Sequence, residues 1–221
     1  MILLERKPAT SYAHWRPATW DDYQRVRDDE SIERVQLFFY RHQLLVENMG
    51  WEGILHSEVR ELISLILGTW LMQRPELKAK LLGSCLMEKE GLQAAAPDIA
   101  LYLGEHLPQY QQSRRINLNQ SPPPALVVEV ADTTLDSDLD QKKHLYAELG
   151  IPEYWVMDAQ GGQVFLFVLH GSGYQRVENS QVLPGLTSSL LQATMAQAQS
   201  STNIAAAAWF AQQVAATGSG D

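Results

Sequence analysis

Two carboxylates stand in segments that are otherwise apolar. Glu129 lies within LVVEV (126–130), and Asp98 opens DIALYL (98–103). A carboxylate in a buried strand costs on the order of several kcal/mol unless it is paired or bound to a cation. If the two strands are neighbours, both acids reach one place, where one or two carboxylates, phosphate oxygens and waters can hold Mg²⁺. The pattern therefore predicts a metal site that Asp98 and Glu129 share.

A lysine follows on the next predicted helix. Lys142 lies in the segment 136–149, directly after the strand that carries Glu129. A helix packed back on this strand would bring the ammonium near both acids, where it could orient or deprotonate an attacking water and offset developing negative charge. A bound metal would lower the pKa of that water. Spacing alone leaves open a structural ion pair at Glu129 and a solvated lysine beside Lys143.

The hydrophobic pattern predicts the helices and strands that position these residues. Apolar residues three and four apart predict an amphipathic helix, whereas short β-branched and aromatic runs between turn residues predict strands. Helices are expected near 20–29, over 56–73, over about 136–149 and over 194–216. Strands are expected as a pair within 34–47, at 84–88, 98–103, 125–130 and 152–157, and as a hairpin of 163–169 with 174–177. The order strand, helix, strand from 125 to 157 predicts a parallel pair.

Composition narrows the class of protein. The chain has 221 residues, 45% of them apolar, and one cysteine, which excludes an intrachain disulfide and suits a reducing cytoplasm. We expect no signal peptide at the start. The sequence contains no apolar run of about 18 residues, so we expect no membrane span. The net charge of −9 argues against tight, non-specific binding of DNA through its phosphates. A local basic patch or bound cations would still be compatible with it.

Residues 34–190 resemble a known family. The segments PDIALYLG and LVVEVADTTLDSDLDQKKHLYAELGIPEYWVMD, followed by LPGL, are similar to the Uma-type family of restriction-endonuclease-like proteins. This family belongs to the PD-(D/E)xK nuclease superfamily and is abundant in cyanobacteria. The match is densest over 97–158, where KxxxY followed by GIPEYW is specific.

The resemblance implies an α/β (α+β) fold, in which helices flank a mixed sheet, and Mg²⁺-dependent hydrolysis of phosphodiesters. Asp98 takes the position of the first motif acid and Glu129 that of the second. The usual lysine position, two residues after Glu129, holds Ala131. The family instead has a lysine on the next helix, four residues before a tyrosine, and Lys142 and Tyr146 match that arrangement.

The superfamily also has an acid on a helix. Glu58 is our candidate because it stands near the start of the predicted helix 56–73, and Glu47 is a second candidate. His56 is either a neighbour of the metal ligands or a capping or packing histidine.

The sequence therefore predicts an endonuclease acting on DNA with Mg²⁺ or Mn²⁺, in which Asp98, Glu129 and Glu58 bind the metal and Lys142 assists catalysis. Two alternatives remain: a catalytically silent dimeric interaction module of the same fold, and a hydrolase of small phosphoesters. We expect a cytoplasmic homodimer, because an apolar run within 34–40 and an Ala-rich tail could bind a second copy. The expected division is an N-terminal arm and short helix (1–33), the nuclease-like domain (34–192) and a C-terminal helix and tail (193–221).

Overall fold

The computed structural model describes residues 14–32, 35–48, 53–109 and 115–217. The first part of the expected N-terminal arm lies outside these ranges. The described residues form two six-stranded mixed sheets with helices packed against them, as the α+β expectation requires. No helix in these ranges is both long and apolar enough to cross a membrane.

One sheet carries both predicted acids. Its strand order is β12-β11-β10-β9-β7-β4. Its strands are β4 (Ala79–Gly83), β7 (Ile99–Leu103), β9 (Leu126–Ala131), β10 (Glu153–Asp158), β11 (Val164–His170) and β12 (Gly173–Val177). Strands β9 and β10 are parallel, and β11 and β12 form an antiparallel hairpin, which confirms both pairings predicted from the sequence.

The other sheet has the order β1-β3-β2-β6-β5-β8. Its strands are β1 (Arg16–Pro17), β2 (Val35–Tyr40), β3 (Gln43–Asn48), β5 (Leu86–Lys89), β6 (Gln93–Ala95) and β8 (Arg115–Asn117). The hairpin of β2 and β3 turns at Arg41 and His42, both at positive φ, within the predicted range. The apolar run that motivated the homodimer prediction is therefore strand β2, and its side chains at Phe38 and Phe39 are buried in the chain's own core.

The helices cover the sheets and fill the core between them. They are α1 (Trp20–Arg27), α2 (Ile54–Met72), α3 (Leu135–Leu139), α4 (Gln141–Glu148), α5 (Ser188–Ser200) and α6 (Asn203–Thr217). Helix α2 buries the predicted apolar stripe, including Leu62, Ile66 and Trp70, against β9 and β10. Helix α6 packs Phe210 into the same cluster, so the Ala-rich tail also contacts the core of this chain.

Several predicted elements differ in detail. The strand expected at 84–88 is β5, which lies in the other sheet, and β4 takes the edge position beside β7. The helix expected over 136–149 is broken at Asp140, whose backbone (φ −121°, ψ −87°) is not helical. The expected tail helix is two helices, because the backbone of Ser201 (φ −145°, ψ −110°) is not helical. The first of them starts earlier than expected, at Ser188, where Thr187 accepts the Leu190 backbone N–H at 3.1 Å. Short strands such as β6 give too little periodicity to be recognised in sequence.

Candidate functional site

Asp98 directly precedes strand β7 and lies beside Glu129 on the neighbouring strand β9. Strands β7 and β9 are antiparallel, with Ile99 opposite Val128. One residue further along this register, Asp98 stands opposite Glu129. Asp98 Oδ2 accepts the backbone N–H of Val130 at 2.8 Å, which ties the two strands together at this point. The two acids are 2% and 1% exposed, as their apolar sequence surroundings predicted.

Lys142 extends from α4 to the same place. Its Nζ lies 3.4 Å from Glu129 Oε2 and 3.0 Å from Glu47 Oε2. The ammonium also lies 2.9 Å from Asp138 Oδ1 and 4.2 Å from the centre of the Phe38 ring. Its side chain is 2% exposed, so carboxylates and an aromatic face surround the charge in place of water. The structure thus brings Lys142 to Glu129 from a separate element.

The Glu129 carboxylate is held on both oxygens. Tyr146 donates its hydroxyl to Oε1, and Lys142 donates to Oε2 at 3.4 Å. Lys142 and Tyr146 are one helical turn apart on α4, so they share a face. The spacing KxxxY therefore has a local reason: it puts an ammonium and a hydroxyl on the same carboxylate.

Asp98 is held by groups from three elements. Gln36 on β2 donates its amide N–H to Oδ1 at 3.0 Å, and His56 Nε2 on α2 lies 3.3 Å from Oδ2. Together with the Val130 backbone N–H, these contacts fix the carboxylate at the boundary of the two sheets. His56 is thus a direct neighbour of Asp98, one of the two roles that the sequence allowed.

Burial and neighbouring charges shift the pKa values of the clustered carboxyl groups in different directions. Burial raises the pKa of Glu129, and the nearby carboxyls of Asp98, Asp138 and Glu47 raise it further, although Lys142 opposes them. Burial also raises the pKa of Glu47. The pKa of Asp98 is lowered, because His56, Lys142 and the Val130 N–H outweigh the effect of its burial.

The pKa of Lys142 is raised well above its usual value. Burial alone would lower it, but Asp138, Glu129 and Glu47 hold the proton on the amine. The side chain therefore stays an ammonium at neutral pH. It is suited to donate hydrogen bonds and to offset negative charge, and not to act as a general base.

The carboxylates of Glu47, Asp98 and Glu129 are donors of the type that a hard divalent cation takes. Together with Asp138 they set four carboxyl groups around the Lys142 ammonium. Glu47 Oε1 is buried and has no hydrogen-bond partner among the described residues. An orphaned carboxylate oxygen beside surplus negative charge is what a cation would satisfy. In the described ranges no three His, Cys, Asp or Glu side chains converge into a ready-made metal cage.

A solvent-open pocket of about 430 Å³ reaches Asp98 between α2 and β4. Arg60 and Ser64 on α2 line one side, and Ser84 lines the other. Glu61 also lines the pocket and pairs with Arg60 at 3.2 Å, and the Ser64 hydroxyl donates to the Arg60 carbonyl. The Arg60 guanidinium is the cationic group of the lining and the one suited to a phosphate. The pocket gives a substrate a path to the acid cluster.

The structure gives no contact between Glu58 and the other predicted site residues in the described ranges. Helix α2 begins at Ile54, with Gly53 as its N-cap, so Glu58 lies beyond the first turn. Among the described residues, no hydrogen bond or ion pair joins Glu58 to Asp98, Glu129 or Lys142. The second candidate, Glu47, does contact Lys142. The metal-binding role of Glu58 remains a prediction.

The sequence analysis did not single out two residues that the structure places in the cluster. Gln36 sits in an apolar strand, and an amide among VQLFFY was a usable signal of a buried polar contact. Asp138 stands among several acids in TLDSDLD and gave no such signal. Its helical spacing of four from Lys142 is the only hint of their contact.

Comparisons with known proteins agree with this architecture. A family model described as "Uma2: Putative restriction endonuclease" matches residues 20–202. The chain is also similar to a solved structure titled "Crystal structure of a putative nuclease belonging to DUF820 from Anabaena variabilis ATCC 29413". The TM-score is 0.57 and the identity 15%, over 81% of this chain and 99% of that chain, so the likeness concerns the fold. None of the curated proteins matches the chain.

The family match confirms the resemblance found in the sequence, and it covers α1, every described strand except β1, and all of α5. The site described above lies wholly within the matched residues. Because the match spans more than half of the chain, this protein belongs to the Uma2 family, described as "Putative restriction endonuclease".

Proposed function

We propose that this protein is a divalent-metal-dependent endonuclease that hydrolyses phosphodiester bonds of DNA. The observation that carries the proposal is the convergence of two strand carboxylates and one helix ammonium in a buried cluster beside an open pocket. Asp98 and Glu129 would hold Mg²⁺ or Mn²⁺, and either Glu47 or Glu58 would complete the carboxylate set. Family membership supports the reaction class, and the site geometry supports the choice of residues.

Each residue of the cluster has a stated task in this proposal. A bound divalent ion would supply the lowered water pKa and the polarised phosphate that hydrolysis needs. Lys142, held as an ammonium, donates hydrogen bonds and offsets the negative charge that develops at the phosphate. Tyr146 fixes the orientation of Glu129, and Gln36 fixes that of Asp98. Pre-set carboxylates of this kind reduce the reorganisation needed during the reaction.

The pocket at Asp98 supports a nucleic-acid substrate. A phosphate there would lie next to the carboxylates and near Arg60, a side chain suited to bidentate contact with phosphate. The net charge of −9 makes unspecific retention of DNA unfavourable. We therefore propose a nuclease with weak, salt-sensitive binding of its substrate in the absence of metal.

The test is cleavage of supercoiled plasmid by the purified protein with Mg²⁺ or Mn²⁺. We expect nicked or linear DNA in the presence of metal and none with a chelator. Asp98→Asn, Glu129→Gln and Lys142→Met should each lower the rate by about a hundredfold or more. Asp136→Asn is the matched control, because Asp136 is an exposed acid close in sequence to the cluster.

Other outcomes point to the alternatives. Cleavage that survives Glu129→Gln would contradict the site assignment. Cleavage of nucleotide phosphodiesters, with no cleavage of DNA, would favour a hydrolase of small phosphoesters. No cleavage, together with no heat of metal binding in calorimetry, would favour a catalytically silent interaction module.

The homodimer is a separate proposal, and a monomeric mass from light scattering would contradict it. A cytoplasmic location remains a prediction.

A further inference from the structure

We propose that Asp138 is a positioning residue that sets the place of the Lys142 ammonium opposite Glu129. The inference rests on the proposed function and deepens it, because it separates the group that places the lysine from the groups that would bind metal. Asp138 is fully buried, and its Oδ1 lies 2.9 Å from Lys142 Nζ, the shortest of the three carboxylate contacts made by this ammonium.

Asp138 is itself held from two sides. Thr134 donates its hydroxyl to Oδ2 at 2.6 Å, which leaves Oδ1 directed at the ammonium. Tyr154 on β10 donates its hydroxyl to the backbone carbonyl of Asp138 at 2.9 Å. The carboxylate is therefore fixed to the sheet through Tyr154 and to its own helix through Thr134. The Asp138 carboxylate is therefore held in place beside the Lys142 ammonium.

Lys142 needs a fixed partner of this kind. A lysine side chain carries its charge on a flexible four-carbon stem, and the ammonium has little directional preference for its partners. The helical conformation is also interrupted at Asp140, between α3 and α4. The start of α4 is therefore not held in place by one continuous helix. The Asp138–Lys142 pair spans this break and joins the two short helices. Without the Asp138 charge, only Glu47, at 3.0 Å, and Glu129, at 3.4 Å, would hold the ammonium, so its position between them would change.

Asp138 differs from the proposed metal ligands in its location. It is carried by α3, whereas Asp98 and Glu129 belong to the edge shared by β7 and β9. In the described residues its carboxylate accepts one hydrogen bond, from Thr134, and forms an ion pair with the Lys142 ammonium. A positioning role therefore predicts that the removal of its charge disturbs Lys142 and leaves metal affinity nearly unchanged.

The direct test is ¹H–¹⁵N NMR of lysine ammonium groups in the full chain without metal. The buried Lys142 signal is assigned by its loss in Lys142→Arg. We expect Asp138→Asn, which keeps the side-chain shape, to shift that signal or broaden it beyond detection. Asp136→Asn, on the same short helix but exposed, should leave it in place. An unchanged signal in Asp138→Asn would overturn the proposal.

A second variant guards against failure to fold. Thr134→Val keeps the Asp138 charge and removes the hydroxyl that orients it, so a smaller displacement of the same signal is expected. The backbone amide spectrum reports whether each variant is folded. A folded Thr134→Val protein with a wild-type Lys142 signal would contradict the proposed role of the Thr134–Asp138 contact.

Kinetics separates positioning from metal binding. We expect Asp138→Asn to lower kcat for plasmid cleavage about tenfold, with a dissociation constant for Mn²⁺ within about twofold of wild type. An equal fall in metal affinity would make Asp138 a ligand and overturn the proposal. If the wild-type protein does not cut DNA, the proposed function fails, and the NMR result alone decides whether Asp138 positions Lys142.

Discussion

Lys142 Nζ lies 3.4 Å from Glu129 Oε2, although the two residues belong to helix α4 and strand β9. Two residues after Glu129 on the same face of the strand stands Ala131, which is buried with Tyr146 and Phe38. A lysine at position 131 would be on the same strand and face as Glu129, whereas Lys142 reaches the carboxylate from helix α4, outside the sheet. The acid–lysine contact is thus made by tertiary packing and not by the spacing of residues along one strand.

The first prediction concerns the pH dependence of metal binding. Metal binding requires ionised carboxylates, and the pKa values of Glu129 and Glu47 are raised. At lower pH these groups hold protons that the metal must displace, so affinity should increase as pH rises from about 5 to about 8. Calorimetric titration with Mn²⁺ in buffers of different ionisation enthalpy measures both the affinity and the protons released.

The control for this prediction is Glu129→Gln, which removes one of the two titrating groups. Its metal affinity should be lower and less dependent on pH than that of the wild type. Affinity that does not change with pH in the wild-type protein would contradict the proposed protonation of the cluster.

The second prediction concerns the stability of the metal-free protein. The pKa of Glu129 is higher in the folded state than its ordinary value of 4.5. The folded state therefore binds this proton more tightly, and its contribution to stability falls as pH rises above 4.5 through the raised pKa. Glutamine imitates the protonated form at every pH. We expect Glu129→Gln to unfold in urea with a free energy about 1 kcal/mol above wild type near pH 8, with no gain near pH 4.

Glu148 gives a control of opposite sign. Burial is the largest single influence and raises its pKa, but the hydrogen bonds from Tyr40, Arg41 and Gln93 and the charge of Arg41 together lower the pKa below its ordinary value. Its contribution is present above the ordinary pKa and is lost as pH falls through the lowered one. Glu148→Gln should therefore lower stability near neutral pH, by no more than about 1 kcal/mol because the group is partly exposed. The second prediction would be contradicted if Glu129→Gln were less stable than wild type at pH 8, because the ionised Glu129 would then stabilise the fold.

The limits of sequence reasoning are visible in particular residues of this site. Asp98 and Glu129 were predictable because a charge within an apolar strand needs a partner wherever the strand lies. The helix that carries Glu58 was expected to start at residue 56, two residues too late, because the apolar residues Ile54 and Leu55 stand before the polar residues that suggested its start. Asp138 was hidden because exposed and buried acids look alike in TLDSDLD. Its burial depends on the break at Asp140 and on Tyr154, which only the folded chain brings together.

The third prediction separates the two candidates for the further acid. Glu47 Oε1 is buried without a hydrogen-bond partner among the described residues, and Oε2 contacts Lys142. Glu58 is half-buried on α2. We expect Glu47→Gln to weaken Mn²⁺ binding about tenfold and Glu58→Gln to change it by less than about twofold. Calorimetry measures both. The opposite ranking would assign the acid to the helix, as the sequence analysis expected.

The fourth prediction concerns the removal of the ammonium. Lys142→Met keeps an unbranched side chain, one atom shorter, but leaves Glu47, Glu129 and Asp138 buried without their cation. Breaking a buried pair in this way costs about 3–5 kcal/mol, although protonation of the acids reduces the loss at low pH. We therefore expect the variant to be far less stable than wild type at pH 8 and closer to it at pH 5.

Lys143→Met is the matched control for this change. Lys143 is the next residue on α4, is partly exposed, and lies 5.1 Å from the centre of the Phe167 ring. Its loss should cost less than about 1 kcal/mol and should not depend on pH. Mn²⁺ should restore stability to Lys142→Met more than to Lys143→Met, because a dication can replace the missing charge among the same carboxylates. Urea denaturation at both pH values, with and without Mn²⁺, measures these effects. Equal losses in the two variants would mean that the buried acids do not depend on Lys142.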